Sequence, residues 1–394
     1  MRLTPRLLER RTLTYYVIVT TTLCGIGLSS RQSSTAAIHP VPQARAQSQN
    51  LAGQLVDPAK VIGRETCRTC HDQEHAAWQA SSHGSKAWQR LTHAKAADFA
   101  TALGIPVDKI TSAESVCTQC HGTPIVENGA LSVAPGNSCE SCHGEAGGEG
   151  GWFKIHADYG RGMDFTMTEL LNQRNAESAE HRAARLAACR NAGMKRADDV
   201  LAVAKNCLTC HIVPIEELIA AGHPTSSGFE IVRWSQGEVR HNVLLDRGKN
   251  AETPSLWLAG SENRTAEGRD RLMFLAGKLA DLELSLRVRA SITSTDRRSL
   301  GREVCDRIED ALGALAETQL ADLAPVMEVA NNFQFTRDSL RALTADDKRK
   351  YSLAAALVAE EANKFIARHA DGNRLPDSVR ISPRVMGKVF DPGK

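Results

Sequence analysis

Three things are scarce in this chain of 394 residues, and each narrows what it can be. It has no large charge of one sign, since 48 lysines and arginines face 46 aspartates and glutamates for a balance of +2. It has no convincing membrane span, because the apolar run from Leu13 to Leu28 is too short and too rich in threonine to cross a bilayer. Between Gly63 and about Arg247 it has little sustained apolar periodicity, so side chains alone do not supply an ordinary core there.

The amino terminus reads as an export signal. Arg2, Arg6, Arg10 and Arg11 precede the apolar run, and Ala44-Arg45-Ala46 supplies a small-residue cleavage site. Residues 1–46 are therefore expected to be a signal peptide, with a linker over 47–62 and a periplasmic or otherwise exported mature protein. An uncleaved segment would instead tether the protein to the membrane. Cleavage removes six arginines and one glutamate, turning +2 into −3. A mature chain with that balance has no basic footprint for nucleic acid.

Cysteine, by contrast, is plentiful and patterned. Eight of the eleven cysteines fall in four copies of Cys-x-x-Cys-His: Cys67, Cys70 and His71; Cys117, Cys120 and His121; Cys139, Cys142 and His143; Cys207, Cys210 and His211. Two thiols at this spacing can add to the two vinyl groups of one porphyrin while the next residue reaches its iron, which is the attachment signal of haem c. Paired Cys-x-x-Cys segments also occur as zinc ligands or redox dithiols, but neither calls for a histidine after all four pairs. The expectation is four covalently bound haem c groups, with the eight cysteines as anchors and His71, His121, His143 and His211 as proximal iron ligands. Their propionates would make the assembled protein more acidic. Cys24 leaves with the signal, and Cys189 and Cys305 remain as either a disulfide or two buried thiols.

The chain is expected to be mainly α-helical, in two parts. Residues 63–247 form a tetrahaem domain of short helices and loops and hold eleven of the thirteen histidines. After a linker over 248–262, residues 263–372 read as an amphipathic helical bundle, followed by a tail over 373–394. Leu272, Leu275, Leu279, Leu282 and Leu286 alternate at steps of three and four along one helical face. Val304, Ile308, Leu312 and Leu315 repeat the pattern, and Thr344-Ala-Asp-Asp347 caps a third helix through Leu353, Leu357 and Ile366. The bundle either packs on the haem domain or offers a surface for a second copy or a larger complex.

Function turns on the sixth iron position: a second histidine makes an electron carrier, whereas an empty site admits a substrate or gas. The candidates are His75, His83, His93, His156, His181, His223 and His241. Trp78-Gln-Ala-Ser-Ser-His83 follows the first motif closely, and the third motif reads Cys139-Glu-Ser-Cys-His143-Gly144 with His156 beyond it. In these segments, and in a fourth motif standing alone, residues 62–225 resemble the cytochrome c-554 family. The resemblance implies an exported electron carrier with closely packed haem pairs, three haems held by two histidines each, and an open second haem at His121. It makes His83 and His156 distal ligands, with His223, in Gly222-His223-Pro224, as the third. His241 reads equally as a ligand or as a polar residue near a propionate, His75 could reach a neighbouring haem or pack on its own, and Met194 is better suited to the core. The expected role is electron relay between redox proteins rather than catalysis. Two alternatives remain: an enzyme reducing nitric oxide or a related small oxide at a five-coordinate second haem, and a haem-wire subunit of a larger complex.

Overall fold

The computed structural model describes residues 56–160, 166–225, 228–238, 264–293, 299–333 and 341–381. His241 and the expected signal peptide lie outside these segments. The described chain is mainly helical, with a single two-stranded sheet among its described residues. Among them no helix is long and apolar enough to cross a membrane.

The first half consists of short helices, such as Arg64–Arg68, Asp72–Ala80, Ala94–Ala102, Cys139–His143 and Trp152–Ala157. They are stopped early by glycine and by polar residues that hydrogen-bond their own backbone, as Ser81 does when it accepts from Gly84 N. Among the described residues before Val200, apolar packing forms only two small clusters, one around Leu91, Ala96, Ala100 and Ile110 and one around Ala146, Trp152 and Cys189. Met194 packs against the second. This sparse interior is what the weak periodicity led us to expect.

A β-hairpin was not expected. Strand β1 (Gly122–Glu127) leaves the second motif directly and pairs antiparallel with β2 (Ala130–Pro135). Asn128 and Gly129 both have positive φ, 52° and 78°, the primed turn whose twist suits a two-residue hairpin loop. The Asn-Gly pair was the available signal.

The second half is built from longer helices: α1 (Val200–His211), α2 (Ala266–Ser291), α3 (Leu300–Glu317), α4 (Ala324–Phe333) and α5 (Ala345–Arg368). Leu272, Leu275, Leu279, Leu282 and Leu286 of α2 are all buried, as are Val304, Ile308 and Leu315 of α3, while Leu312 is partly buried. Thr344 and Asp347 form the expected reciprocal cap of α5. The buried face of α5 differs from expectation, since Leu353 is 55 % exposed and the face runs through Tyr351, Ala354, Ala355, Val358, Ala362 and Phe365. Three alanines on that face let α5 lie close against its neighbours, and Leu353 is two residues out of phase with Tyr351.

Helix α2 packs on α3 and α5 and also on α1, which ends in the fourth Cys-x-x-Cys-His motif. One continuous cluster of buried side chains therefore runs from Val200, Leu201 and Leu208 through α2 to Phe365 and Val379. Polar contacts reinforce the join: Lys205 of α1 pairs with Glu283 of α2 at 2.7 Å, and Glu216 accepts hydrogen bonds from Thr293 N and Oγ1. The bundle packs on the haem-motif region. Cys189 and Cys305 are separate buried thiols rather than a disulfide.

Candidate haem-binding centre

Each Cys-x-x-Cys-His segment sits on a helical turn, which sets its two sulfurs and its imidazole on neighbouring positions. In the first, the Cys70 and His71 amides both donate to the Cys67 carbonyl, at 3.2 and 3.0 Å. Thr118–His121, Cys139–His143 and the last turn of α1 hold the other three.

Two of the four motif histidines are oriented by backbone carbonyls. His121 Nδ1 lies 3.0 Å from Ala87 O, and His143 Nδ1 lies 2.8 Å from Lys195 O. A carbonyl accepts only from a protonated nitrogen, so this leaves the lone pair on Nε2, the arrangement usual for a metal-bound histidine. His71 has Glu74 at 3.8 Å from its Nδ1. His211 is flanked by aromatic rings, with Phe229 stacked at 4.2 Å and Trp234 edge-on at 5.7 Å. Burial pushes the His211 imidazole down to about 3, helped by the charges of His83 and Arg307. The ring is thus kept neutral, the form that binds a metal.

The distal candidates fall into a geometric pattern. His156 faces His71 with ring centroids 6.1 Å apart, His83 faces His211 at 6.2 Å, and His223 faces His121 at 6.3 Å. Two imidazoles bound through nitrogen on opposite sides of one metal, at roughly 2.0 Å per bond, have centroids about 6.3 Å apart. The centroid spacing of all three pairs is thus that of two imidazoles with a metal between them, with the rings at 25°, 71° and 67° to one another. His156 supports the fit further, for its Nδ1 is buried without a hydrogen-bond partner. Burial, then His71 and Arg185, pushes it down to about 4.

The remaining histidines are placed differently. His75 is buried against Trp78 at 5.3 Å, with Glu65 3.6 Å from its Nε2. His93 is exposed and caps the helix Ala94–Ala102 by accepting from Lys95 N. His181 is held by Glu177 at 2.8 Å. Among the described residues, no group of three or more His, Cys, Asp or Glu side chains is gathered as a bare metal ion would need.

The motifs are also neighbours in a definite order. The Cys67 and Cys139 thiols lie close enough to perturb one another, as do those of Cys120 and Cys210. Cys142 lies close enough to Cys207 and Cys210 to act on them electrostatically. Burial pushes the Cys207 thiol up to about 12 and the Cys142 thiol up to about 11, so these sites favour uncharged sulfur, as a thioether is. In space the order is first, third, fourth, second. Asn206 Nδ2 donates to Ser141 O at 3.2 Å between the fourth and third motifs, and Asn137 Nδ2 donates to Cys120 O at 2.8 Å. Thr123 of β1 ties the second motif to the third, donating to Gly136 O and accepting from Ser138 N, both at 2.8 Å.

One residue inside a motif has a structural role that sequence reasoning missed. Glu140, between Cys139 and Cys142, is fully buried and accepts hydrogen bonds from Ile62 N, Gly63 N and Ala146 N at 2.9 to 3.0 Å. It thereby clamps the segment entering the first motif and the glycine-rich loop leaving the third. Nothing in the x-x spacer of a Cys-x-x-Cys-His motif signals this, because the three donors lie on distant backbone. Replacing Glu140 with Ala removes the acceptor of three amides, that of Ala146 buried and those of Ile62 and Gly63 partly buried, a loss of about 2–3 kcal/mol. Equilibrium denaturation followed by far-ultraviolet circular dichroism measures it, and a change below about 1 kcal/mol would show that water replaces the carboxylate.

No curated protein and no solved structure matches this chain. Residues 66–144 match the family of cytochrome c554 and c-prime, a narrower stretch than the resemblance over 62–225 and one that contains the first three motifs. The Cys67–His143 region is thus similar to the cytochrome c554 and c-prime family, and that similarity supports a c-type cytochrome in electron transfer with covalently bound haem c.

Proposed function

We propose that the chain is an exported tetrahaem cytochrome that relays electrons between redox proteins along its motifs in the order first, third, fourth, second. The observation that carries this reading is the closeness of motif sulfurs, Cys67 to Cys139, Cys142 to Cys207 and Cys210, and Cys210 to Cys120. When bound, haem supplies reversible one-electron chemistry at iron, with low potentials under two imidazole ligands.

The residues of the chain supply everything else. The eight motif cysteines fix each porphyrin at two points, so neighbouring sites keep their spacing. Ala87 O and Lys195 O hold His121 and His143 with Nε2 aimed away from the backbone. Phe229 and Trp234 pack against the half-buried His211 ring. The mature charge of −3 suits small, transient, charge-steered encounters with donors and acceptors. Export is supported by the sequence of residues 1–46.

A pyridine haemochrome assay should return four haems per chain, and a reductive titration should take up four electrons per chain, matching the four motifs. A lower count would reject the tetrahaem reading. Replacing His83 with Ala should convert one low-spin haem to high-spin, because His83 faces His211. Electron paramagnetic resonance reads the change, and an unaltered spectrum would remove His83 from the ligand set.

A further inference from the structure

The resemblance leaves the second haem open, and the geometry points elsewhere: we infer that His223 is the sixth ligand opposite His121, so that the second haem of this chain is closed to small molecules. This rests on the reading that the motifs carry haem. It assigns an iron-binding role in the second site to a residue from beyond the fourth motif, 102 positions away from its partner in sequence.

The ring centroids of His121 and His223 are 6.3 Å apart, the spacing of two imidazoles with one iron between them. Both rings are already committed at Nδ1, His121 to Ala87 O at 3.0 Å and His223 to Pro224 O at 2.9 Å. Both therefore keep Nε2 for a metal.

His223 is positioned by a built turn rather than left on a loose loop. The helix Glu216–Ala220 ends in Gly222, whose φ of +92° only glycine adopts without strain. The reversal lets Gly222 N donate to Ile219 O at 3.0 Å and His223 N donate to Leu218 O at 2.9 Å. Leu218 and Ile219 are buried in the bundle core, so the turn is anchored to the second half of the molecule. On the other side Phe99 packs on the His223 ring at 5.6 Å, from a helix whose Ala96 and Ala100 belong to the cluster that also packs Cys117 of the second motif. The following proline restricts His223 to extended backbone. Two elements from opposite halves of the chain thus converge on the ring. Reduction of a small oxide at a five-coordinate second haem, the alternative activity, has no vacant coordination position there.

The test compares carbon monoxide binding and spin state of the dithionite-reduced and the oxidised holoprotein, wild type against His223→Ala. The variant should show one more high-spin, carbon monoxide-binding haem per chain than the wild type, and added imidazole should return that haem to low spin. If His223→Ala does not assemble, His223→Met tests the same point, since a Met–iron charge-transfer band should appear in the oxidised spectrum. The same number of carbon monoxide-binding haems in wild type and His223→Ala, or no such band in His223→Met, overturns the assignment while leaving an electron carrier intact. A haem count below four in the wild type would instead fail the reading on which it rests.

Discussion

A chain ending at Asn263 is expected not to accumulate as folded haem protein. The cut removes α2 to α5, against which Val200, Leu201, Leu208 and Ile212 are buried in one continuous cluster. Exposing four large apolar side chains costs about 1.5–3 kcal/mol each. Their sum is on the order of the 5–15 kcal/mol that typically holds a whole domain together. The loss falls on α1, the helix that presents Cys207, Cys210 and His211. The readout is soluble yield, haem per chain and helicity of residues 47–263 beside the full-length protein. A monodisperse truncated product with full haem content would show that the bundle is a separate module, dispensable for folding and available to a partner. The expected failure removes one simple version of the subunit reading, in which the bundle serves only to join a complex.

The second large effect concerns a buried ion pair where α3 meets α2. Arg307 Nε and Nη2 donate to the two carboxylate oxygens of Asp281 at 2.8 and 3.1 Å, and Ser285 donates to Asp281 Oδ1 at 3.1 Å. Asp281 lines a small cavity with Leu208, Phe229, Phe274 and Gly277, behind the ring that stacks on His211. Burial pushes its carboxyl above the ordinary 3.8, with Arg307 pulling it back. Arg307→Ala leaves the carboxyl buried and uncompensated, and should destabilise the protein by about 3–5 kcal/mol.

The sign of its pH dependence follows from proton linkage. Without Arg307 the folded state holds on to a proton that the unfolded chain releases above 3.8, so the variant should lose stability as pH rises and recover part of it in acid. Denaturation midpoints at several pH values measure this. Asp281→Leu combined with Arg307→Met should come within about 1–2 kcal/mol of wild type, because an apolar pair of similar volume needs no compensation. A double variant as unstable as Arg307→Ala would mean that packing, not charge, is at stake. Arg307 also acts electrostatically on His211, so its removal should shift the potential of the fourth site as well.

Local chemistry was the most legible. Two cysteines and a histidine within five residues are held together by covalent spacing, so the candidate anchors and proximal ligands could be named from the sequence alone. The leucine stripe of α2 and the Thr344–Asp347 cap were readable for the same reason, since both depend on neighbours three or four residues apart. The α5 face was less so: Leu353 has the right chemistry and the wrong phase, and alanine weighs little in an apolar pattern although it decides how closely helices approach.

The division at 248–262 followed composition, which changes sharply there, yet the buried side chains of α1 and α2 form one interior across it. Composition does not show which apolar faces meet. Ring pairing was hidden for a similar reason, because His71 meets His156, His211 meets His83 and His121 meets His223 over separations of 85, 128 and 102 residues. Along the chain, covalent spacing settles the chemistry that one helical turn can hold. Across it, tertiary packing chooses which rings meet, as the packing of Phe99, the turn at Gly222 and the anchoring of Leu218 do for His223 and His121, since loop closure costs little more for a long separation than for a moderate one and leaves no mark on local sequence.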